Sequence, residues 1–356
     1  MIDKTKQVIR DSNIELLRIF SMFLIVFYHL VCFFVVKLRV GDSNWTAIQP
    51  CVHQGVVLFV LISGYYGIKT KIKGVLHILL LCVTYYVPIS LIFISLGYQD
   101  VLFWGGNSLA ISILPISKGP YWFVRTYLYL YLLAPMINNY ILKSSKHFIY
   151  LLFITGFISI YMSYFSIDTS LSEGKNIINF IFLYCLGHFL YVKKSMFLRI
   201  SQKKLIIAAI IINVLLFLSL RGTSSTLLGN FIYVFFFPYY SIGLIVNSMI
   251  IFCIFAKLEI KSRLINVVAG SMFSVYLIHH QPFLMQYVIQ PIMSKVESYC
   301  ISDMLLSVGL IMTTSIVLIC CVIVDLTIKP IVVIFEGMMF QKMQMVKLYI
   351  EKETQN

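Results

Sequence analysis

Apolar residues along the chain come in long runs, each closed by a short cluster rich in lysine, arginine, glycine or asparagine. A helix needs about 20 apolar residues to cross the ~30 Å hydrocarbon layer of a bilayer. Runs of that order fall near 14–36, 51–67, 75–96, 121–138, 148–166, 176–192, 205–220, 231–256, 265–290 and 304–328. They do not alternate apolar and polar positions as the strands of a membrane barrel would, so helices are predicted throughout. The pattern predicts an all-α polytopic membrane bundle of about ten transmembrane helices, in a single domain over residues 1–356. The second and sixth runs are short, and Pro238 within FFFPYY predicts a kink or a late start in the eighth. Beyond the tenth span, residues 329–356 mix Met, Phe and Lys and predict an interfacial amphipathic helix.

Cationic side chains orient the bundle. With the N-terminus inside, 20 of the 28 lysines and arginines fall on cytoplasmic pieces, seven on outer pieces, and Arg18 within the first span. This asymmetry satisfies the positive-inside rule with both termini cytoplasmic. The longest connection, residues 97–120, then lies outside and is rich in Gly, Ser and Asn. The first run exceeds the roughly 7–15 residues of a signal-peptide core and no small-residue cleavage site follows, so it is expected to remain as a span.

Composition agrees. Hydrophobic residues make up 60% of the chain and charged residues 12%, against about 25% charged in a soluble domain. Mean hydropathy is +0.91. The net charge of +14 comes without a basic tract, which argues against nucleic acid as a partner. The eight cysteines form no CxxC pair and no metal-ligand spacing, so no metal is expected. Cys32, Cys51 and Cys300 fall near the outer face, with room for one disulfide.

Candidate chemistry begins with Arg18 and His29, eleven residues apart in RIFSMFLIVFYHL. Eleven residues are about three helical turns, so both project from one face, ~16.5 Å apart along the axis. Ionisable groups in hydrocarbon are costly and mark function or a polar interior. His29 lies ~22 Å above residue 14, and His279 ~21 Å above residue 265, so the two imidazoles share one depth. Either the interior brings them together or each has its own polar niche. A neutral buried imidazole can serve as general base toward a hydroxyl, or can satisfy a partner between helices. Arg18 can hold an anionic ligand, or can snorkel or pair with Glu15 or Asp325. Lys69, Lys71 and Lys73 face the same side, although topology alone accounts for them. Tyr121, Trp122 and Arg125 open the fourth span, as an aromatic belt or as a sugar-binding group. Ser63 and Gly64 in LFVLISGYYG suit close helix packing or ligand contact equally, and His53 is a weaker candidate. No mid-membrane carboxylate is available for a proton or sodium relay. No carboxylate pair suggests glycoside hydrolysis, and no phosphate-cradling glycine loop is present.

Four stretches together resemble the acyltransferase 3 family of bacterial integral membrane enzymes: NIELLRIFSMFLIVFYHL, VVLFVLISGYYG, YWFVRTYLYLYLLAPMIN and FSVYLIHHQPFL. The resemblance implies an O-acyltransferase of the inner membrane, moving acetyl from acetyl-CoA to a carbohydrate hydroxyl. It also implies roles. Arg18, with Lys69, Lys71 and Lys73, would hold the CoA end, His29 would act on the acceptor hydroxyl, and His279, Tyr121, Trp122 and Arg125 would position the acceptor. A relay through acylated His29 is a second route. The loop after the second span commonly carries arginine in the family, where this chain has lysines that give no bidentate fork. No extracytoplasmic hydrolase-like domain is expected, so transfer would fall to the membrane domain or to glycan-assembly partners. The resemblance implies a glycan or its lipid-linked precursor as acceptor, with membrane lipids as the other expected contact. A lipid-linked sugar transporter without chemistry is the alternative, although it lacks repeats or intramembrane carboxylates. A glycan polymerase would need a larger outer loop than 97–120.

Overall fold

The computed structural model describes residues 11–38, 43–98, 116, 120–165, 173–221, 237–300 and 302–353. Every regular element among the described residues is helical. Most of the 97–120 connection, residues 231–236 of the expected eighth span, and the cations Lys4, Lys6, Arg10, Arg39 and Lys118 lie outside them.

The first helix, α1 (Ser12–Leu30), continues through a π-helical turn at Val31–Val35. α2 (Ser43–Val52) and α3 (Gly55–Tyr66) together cover the second span, which therefore begins earlier than its apolar run. α4 (Ile72–Ser95), α5 (Trp122–Lys143), α6 (Ser145–Phe165) and α7 (Ile177–Val192) follow. A short α8 (Lys194–Arg199) leads to α9 (Gln202–Arg221) and α10 (Ile242–Ala256). Four helical stretches, Ser12–Val35, Asn44–Tyr66, Ile72–Ser95 and Asp303–Met345, are long and apolar enough to cross a membrane. Shorter apolar helices lie at Ser145–Tyr161, Ile177–Val192 and Ile242–Ala256.

The ninth run, expected as one helix over 265–290, is broken. It forms α11 (Arg263–Ala269), α12 (Met272–His279) and a short turn Pro282–Leu284, which passes through a π-helical turn into α13 (Gln290–Tyr299). Pro282 explains the second break: it lacks an N–H and disfavours helical geometry in the residue before it. Gln281 is accordingly extended, and its side chain caps the next turn at the Leu284 N–H, 2.9 Å away.

The tail also differs from expectation. α14 (Asp303–Glu353) runs through Pro330 for 51 residues, so residues 329–353 are continuous with the helix of the last span and do not form a separate helix. At 1.5 Å per residue it is ~76 Å long, well beyond the hydrocarbon thickness. Buried Glu336 ties it to the start of α4, accepting from His77 at 3.1 Å with Lys73 3.7 Å away. None of the eight cysteines is in a disulfide among the described residues.

α1 is the central helix, packed on α3, α10, α11, α12 and α14. Asn13 on α1 donates to the last carbonyls of α10, at Phe255 and Ala256. Those carbonyls have no partner within their own helix. The tightest crossing joins α3 to α7. A Cβ on Gly64 would collide with the Tyr184 carbonyl oxygen, and one on Gly187 with the Leu61 carbonyl oxygen. Backbone meets backbone there, the use to which small residues are put between membrane helices. Gly64→Ala is expected to destabilise the protein by about 1–3 kcal/mol through overpacking, read as a lowered thermal midpoint in detergent. Gly337→Ala, where a Cβ meets nothing within 4 Å, is the control that leaves the midpoint unchanged or raised.

Candidate active site

Arg18, Met22, Ile25 and His29 recur on α1 at spacings of four, three and four, which is one helical face. That face lines two cavities. Arg18, Met22 and Ile25 border a large one of about 360 Å³, and Ile25 and His29 border a small one of about 20 Å³. The two share a wall made by Ile25, Phe123 and Tyr276.

The large cavity is mostly apolar and carries its charge at one end. Arg18 donates to Glu15 at 2.8 Å, so the partner on its own helix is the one used, not Asp325. Asp325, on the facing α14, accepts from the Tyr85 hydroxyl at 2.7 Å through Oδ1. Its Oδ2 is buried and accepts no hydrogen bond, with the Lys329 ammonium 4.0 Å away. The side chains of Arg18 and Lys329 are 29% and 39% exposed, so the cavity reaches the surface at this end. Ser63 also lines it, 3.2 Å from the hydroxyl of Tyr127, another lining residue. The neighbouring Gly64 serves the helix crossing, so the Ser-Gly pair divides the two roles that its sequence left open.

At the other end, the structure brings His29 and His279 together across 250 residues of sequence, with His29 Nδ1 2.9 Å from His279 Nε2. His279 Nδ1 is 2.6 Å from the Val275 carbonyl one turn back. A carbonyl only accepts, so His279 Nδ1 carries the hydrogen, and Nε2 of its neutral ring is an acceptor. His29 Nδ1 then donates, leaving the His29 Nε2 lone pair free. These tautomers follow from the partners. His29 Nε2 has no hydrogen-bond partner among the described residues, and its ring lines the small cavity. His280 stacks on His29 with ring centroids 4.4 Å apart.

The other candidates take distinct positions. His53 lines the small cavity beside His29, its Nδ1–H donating to the Phe237 carbonyl at 2.9 Å, with Tyr28 and Tyr239 against its ring. Trp122 lines the same cavity and carries the Lys175 ammonium 5.5 Å from its ring centroid, within cation–π reach. Tyr121 is fully buried, donates to the Leu277 carbonyl at 2.6 Å, and lines neither cavity. It fastens the start of α5 to α12. Arg125 is half-buried and also lines neither. Lys69, Lys71 and Lys73 are exposed in the α3–α4 connection and at the start of α4 and line neither cavity, although Lys73 shares Glu336 with the cavity-lining His77. Tyr276 and Tyr127 stand inside two of the stretches that carry the family resemblance, and Lys175 and Lys329 were counted only for orientation, so the sequence assigned none of the four to the site. Tyr276 does stand three residues before His279, and Lys329 four after Asp325, which are same-face spacings.

Residues 11–325 match a family model described as an acyltransferase domain, that of the acyltransferase 3 family. The matched stretch contains α1 with Arg18 and His29, α12 with His279, and the whole of both cavities up to Asp325. No curated protein and no solved structure matches the chain. A match over nearly the entire length, on a helical chain with several membrane-capable helices, establishes that this protein belongs to the acyltransferase 3 family and is an integral membrane acyltransferase.

Proposed function

We propose that the protein moves an acyl group, acetyl by default, from cytoplasmic acyl-CoA to a hydroxyl of a cell-surface carbohydrate or its lipid-linked precursor. In this reading ten spans cross the inner membrane with both termini cytoplasmic, and glycan-assembly proteins supply the acceptor. The observation that carries it is His29, held through His279 and the Val275 carbonyl with no partner on Nε2 among the described residues, lining a cavity next to one fit for a thioester.

Residue chemistry supports the donor. The cations Arg18 and Lys329 stand where the large cavity meets the surface and suit phosphate groups. Asp325 Oδ2, buried without a hydrogen bond, suits an amide N–H on the arm of the donor. Apolar walls of Ile25, Phe59, Leu81 and Phe123 suit its methylenes. At about 360 Å³ the cavity is within the ordinary range for small-molecule sites, and it holds the acylated arm with the nucleotide outside. The exposed Lys69, Lys71 and Lys73 are left to the membrane surface and to the nucleotide end.

On the acceptor side, about 20 Å³ admits one hydroxyl or one water. His29 Nε2 takes the proton of the acceptor hydroxyl while that oxygen attacks the acyl carbonyl. The positive charge on the His29 ring is delocalised toward His279, whose own N–H stays on Val275. The carbon–sulfur bond then breaks, and His29 returns its proton to the departing sulfur, so the ring ends neutral. Trp122, with Lys175 over its face, offers a stacking surface for a sugar ring, and His53 lies alongside. Tyr121 and Arg125 support this end of α5 from outside the cavities.

Mass spectrometry of cell-surface glycans is the primary test. Deleting the gene is expected to remove an acyl mass increment that the wild-type gene restores and His29→Ala does not. Restoration by His29→Ala would end the assignment of His29. In purified protein, His29→Ala is expected to lower kcat by about 10²–10⁴-fold. Arg18→Ala is expected to raise KM for acetyl-CoA by about 10- to 100-fold with a smaller change in kcat, the pattern of a lost ground-state contact. A kcat defect with unchanged KM would remove Arg18 from the donor site.

A further inference from the structure

The wall between the two cavities is where the reaction has to occur. The large cavity opens beside Arg18 and Lys329, and the small one is lined by His29, whose Nε2 has no partner among the described residues. An acyl carbon delivered through the first and an oxygen activated in the second can meet only at the residues common to both, Ile25, Phe123 and Tyr276. Two of these have only hydrocarbon side chains. Tyr276 has a hydroxyl.

That hydroxyl is in an unusual state. Tyr276 is 4% exposed, yet its OH has no hydrogen-bond partner among the described residues. Buried polar groups in folded proteins are nearly always paired, and an orphan calls for a reason. Tyr276 packs on Phe123, which stands in the first turn of the 22-residue α5. A helix N-terminus carries partial positive charge and favours a developing anion. Tyr276 is also held firmly. It lies three residues before His279 on α12, with its ring 5.8 Å from Tyr121, 5.6 Å from Phe123 and 5.6 Å from His280.

Building on the acyl-transfer reading above, we propose that Tyr276 is a catalytic residue whose hydroxyl donates a hydrogen bond to the acyl carbonyl oxygen as negative charge develops on it. The hydroxyl keeps its proton throughout. As the acceptor oxygen bonds to the carbonyl carbon, the carbonyl π pair moves onto oxygen and is stabilised by the Tyr276 O–H. As the carbon–sulfur bond breaks, the pair returns. His29 alone moves a proton. Donors set in advance toward such an oxygen are typically worth 10²–10³ in kcat.

The test uses the full chain in lipid nanodiscs, with acetyl-CoA as donor, water or added glycan as acceptor, and release of free CoA followed by mass spectrometry. Tyr276→Phe keeps the ring in the wall and deletes only an unpartnered hydroxyl. It is expected to lower kcat by about 10²-fold or more, leave KM for acetyl-CoA within about threefold, and leave the thermal midpoint equal or higher. A structural role would instead lower the midpoint or move KM. A kcat within threefold of wild type would overturn the assignment, as would an acyl ester found on Tyr276, which would make it a nucleophile. If Tyr276→Phe is fully active while His29→Ala is dead, only the Tyr276 role falls. A wild type that releases no CoA from any acyl-CoA sinks the acyl-transfer reading, and Tyr276 falls with it.

Discussion

A buried imidazole has two ring nitrogens to satisfy, and the hydrogen-bonded chain from the Val275 carbonyl through His279 to His29 satisfies three of the four in this pair. Each link is forced by the previous one. The carbonyl fixes the His279 tautomer, that tautomer fixes the His29 hydrogen, and the remaining lone pair has one place to face. The pair also joins α1 to α12 at one depth, which sets where the two cavities lie. Breaking the ninth segment at Gln281–Pro282 makes this geometry available. α12 ends at His279, and the next turn begins with its own cap.

Charge placement follows the same economy. A cation at mid-membrane costs about 2.5–3.5 kcal/mol on insertion scales, and Arg18 escapes most of that by standing near the surface with Glu15 at 2.8 Å. Farther in, several buried polar atoms among the described residues lack a hydrogen-bond partner, and those on residues lining the cavities include His29 Nε2, the Tyr276 hydroxyl and Asp325 Oδ2. An unpaired buried polar group costs about 1–3 kcal/mol. His29 and Tyr276 line the small cavity, and Tyr276 and Asp325 the large one, so part of this unsatisfied hydrogen-bonding capacity belongs to residues around the cavities.

Helix packing holds this junction in register. Gly64 and Gly187 bring α3 and α7 into backbone contact, and Ser63 is thereby held on the wall of the large cavity beside Tyr127. Tyr121, buried and bonded to the Leu277 carbonyl, performs the matching task for α5 and α12. Supporting contacts of this kind fix a reacting pair to within fractions of an ångström, which is what orientation effects in catalysis require.

The sequence alone determined what is local or compositional: apolar runs long enough to be membrane helices, the family motifs, and the shared face of Arg18, Met22, Ile25 and His29, since helical periodicity acts within one segment. Equal depth for His29 and His279 was also legible from counting residues. Their contact was not, because depth fixes position along the membrane normal and says nothing about rotation around it. The breaks flanking α12 and the unbroken passage of α14 through Pro330 depend on neighbours as well as on proline. Arg18 had two plausible carboxylate partners, and packing placed Asp325 with Tyr85 and Lys329 instead. Tyr276 stands in the family-like stretch FSVYLIHHQPFL, but nothing in the sequence gave it a role among the 23 tyrosines. Only the assembly of α1, α5 and α12 sets its hydroxyl at a shared wall without a partner, because burial and pairing belong to the surroundings of a residue and not to its type.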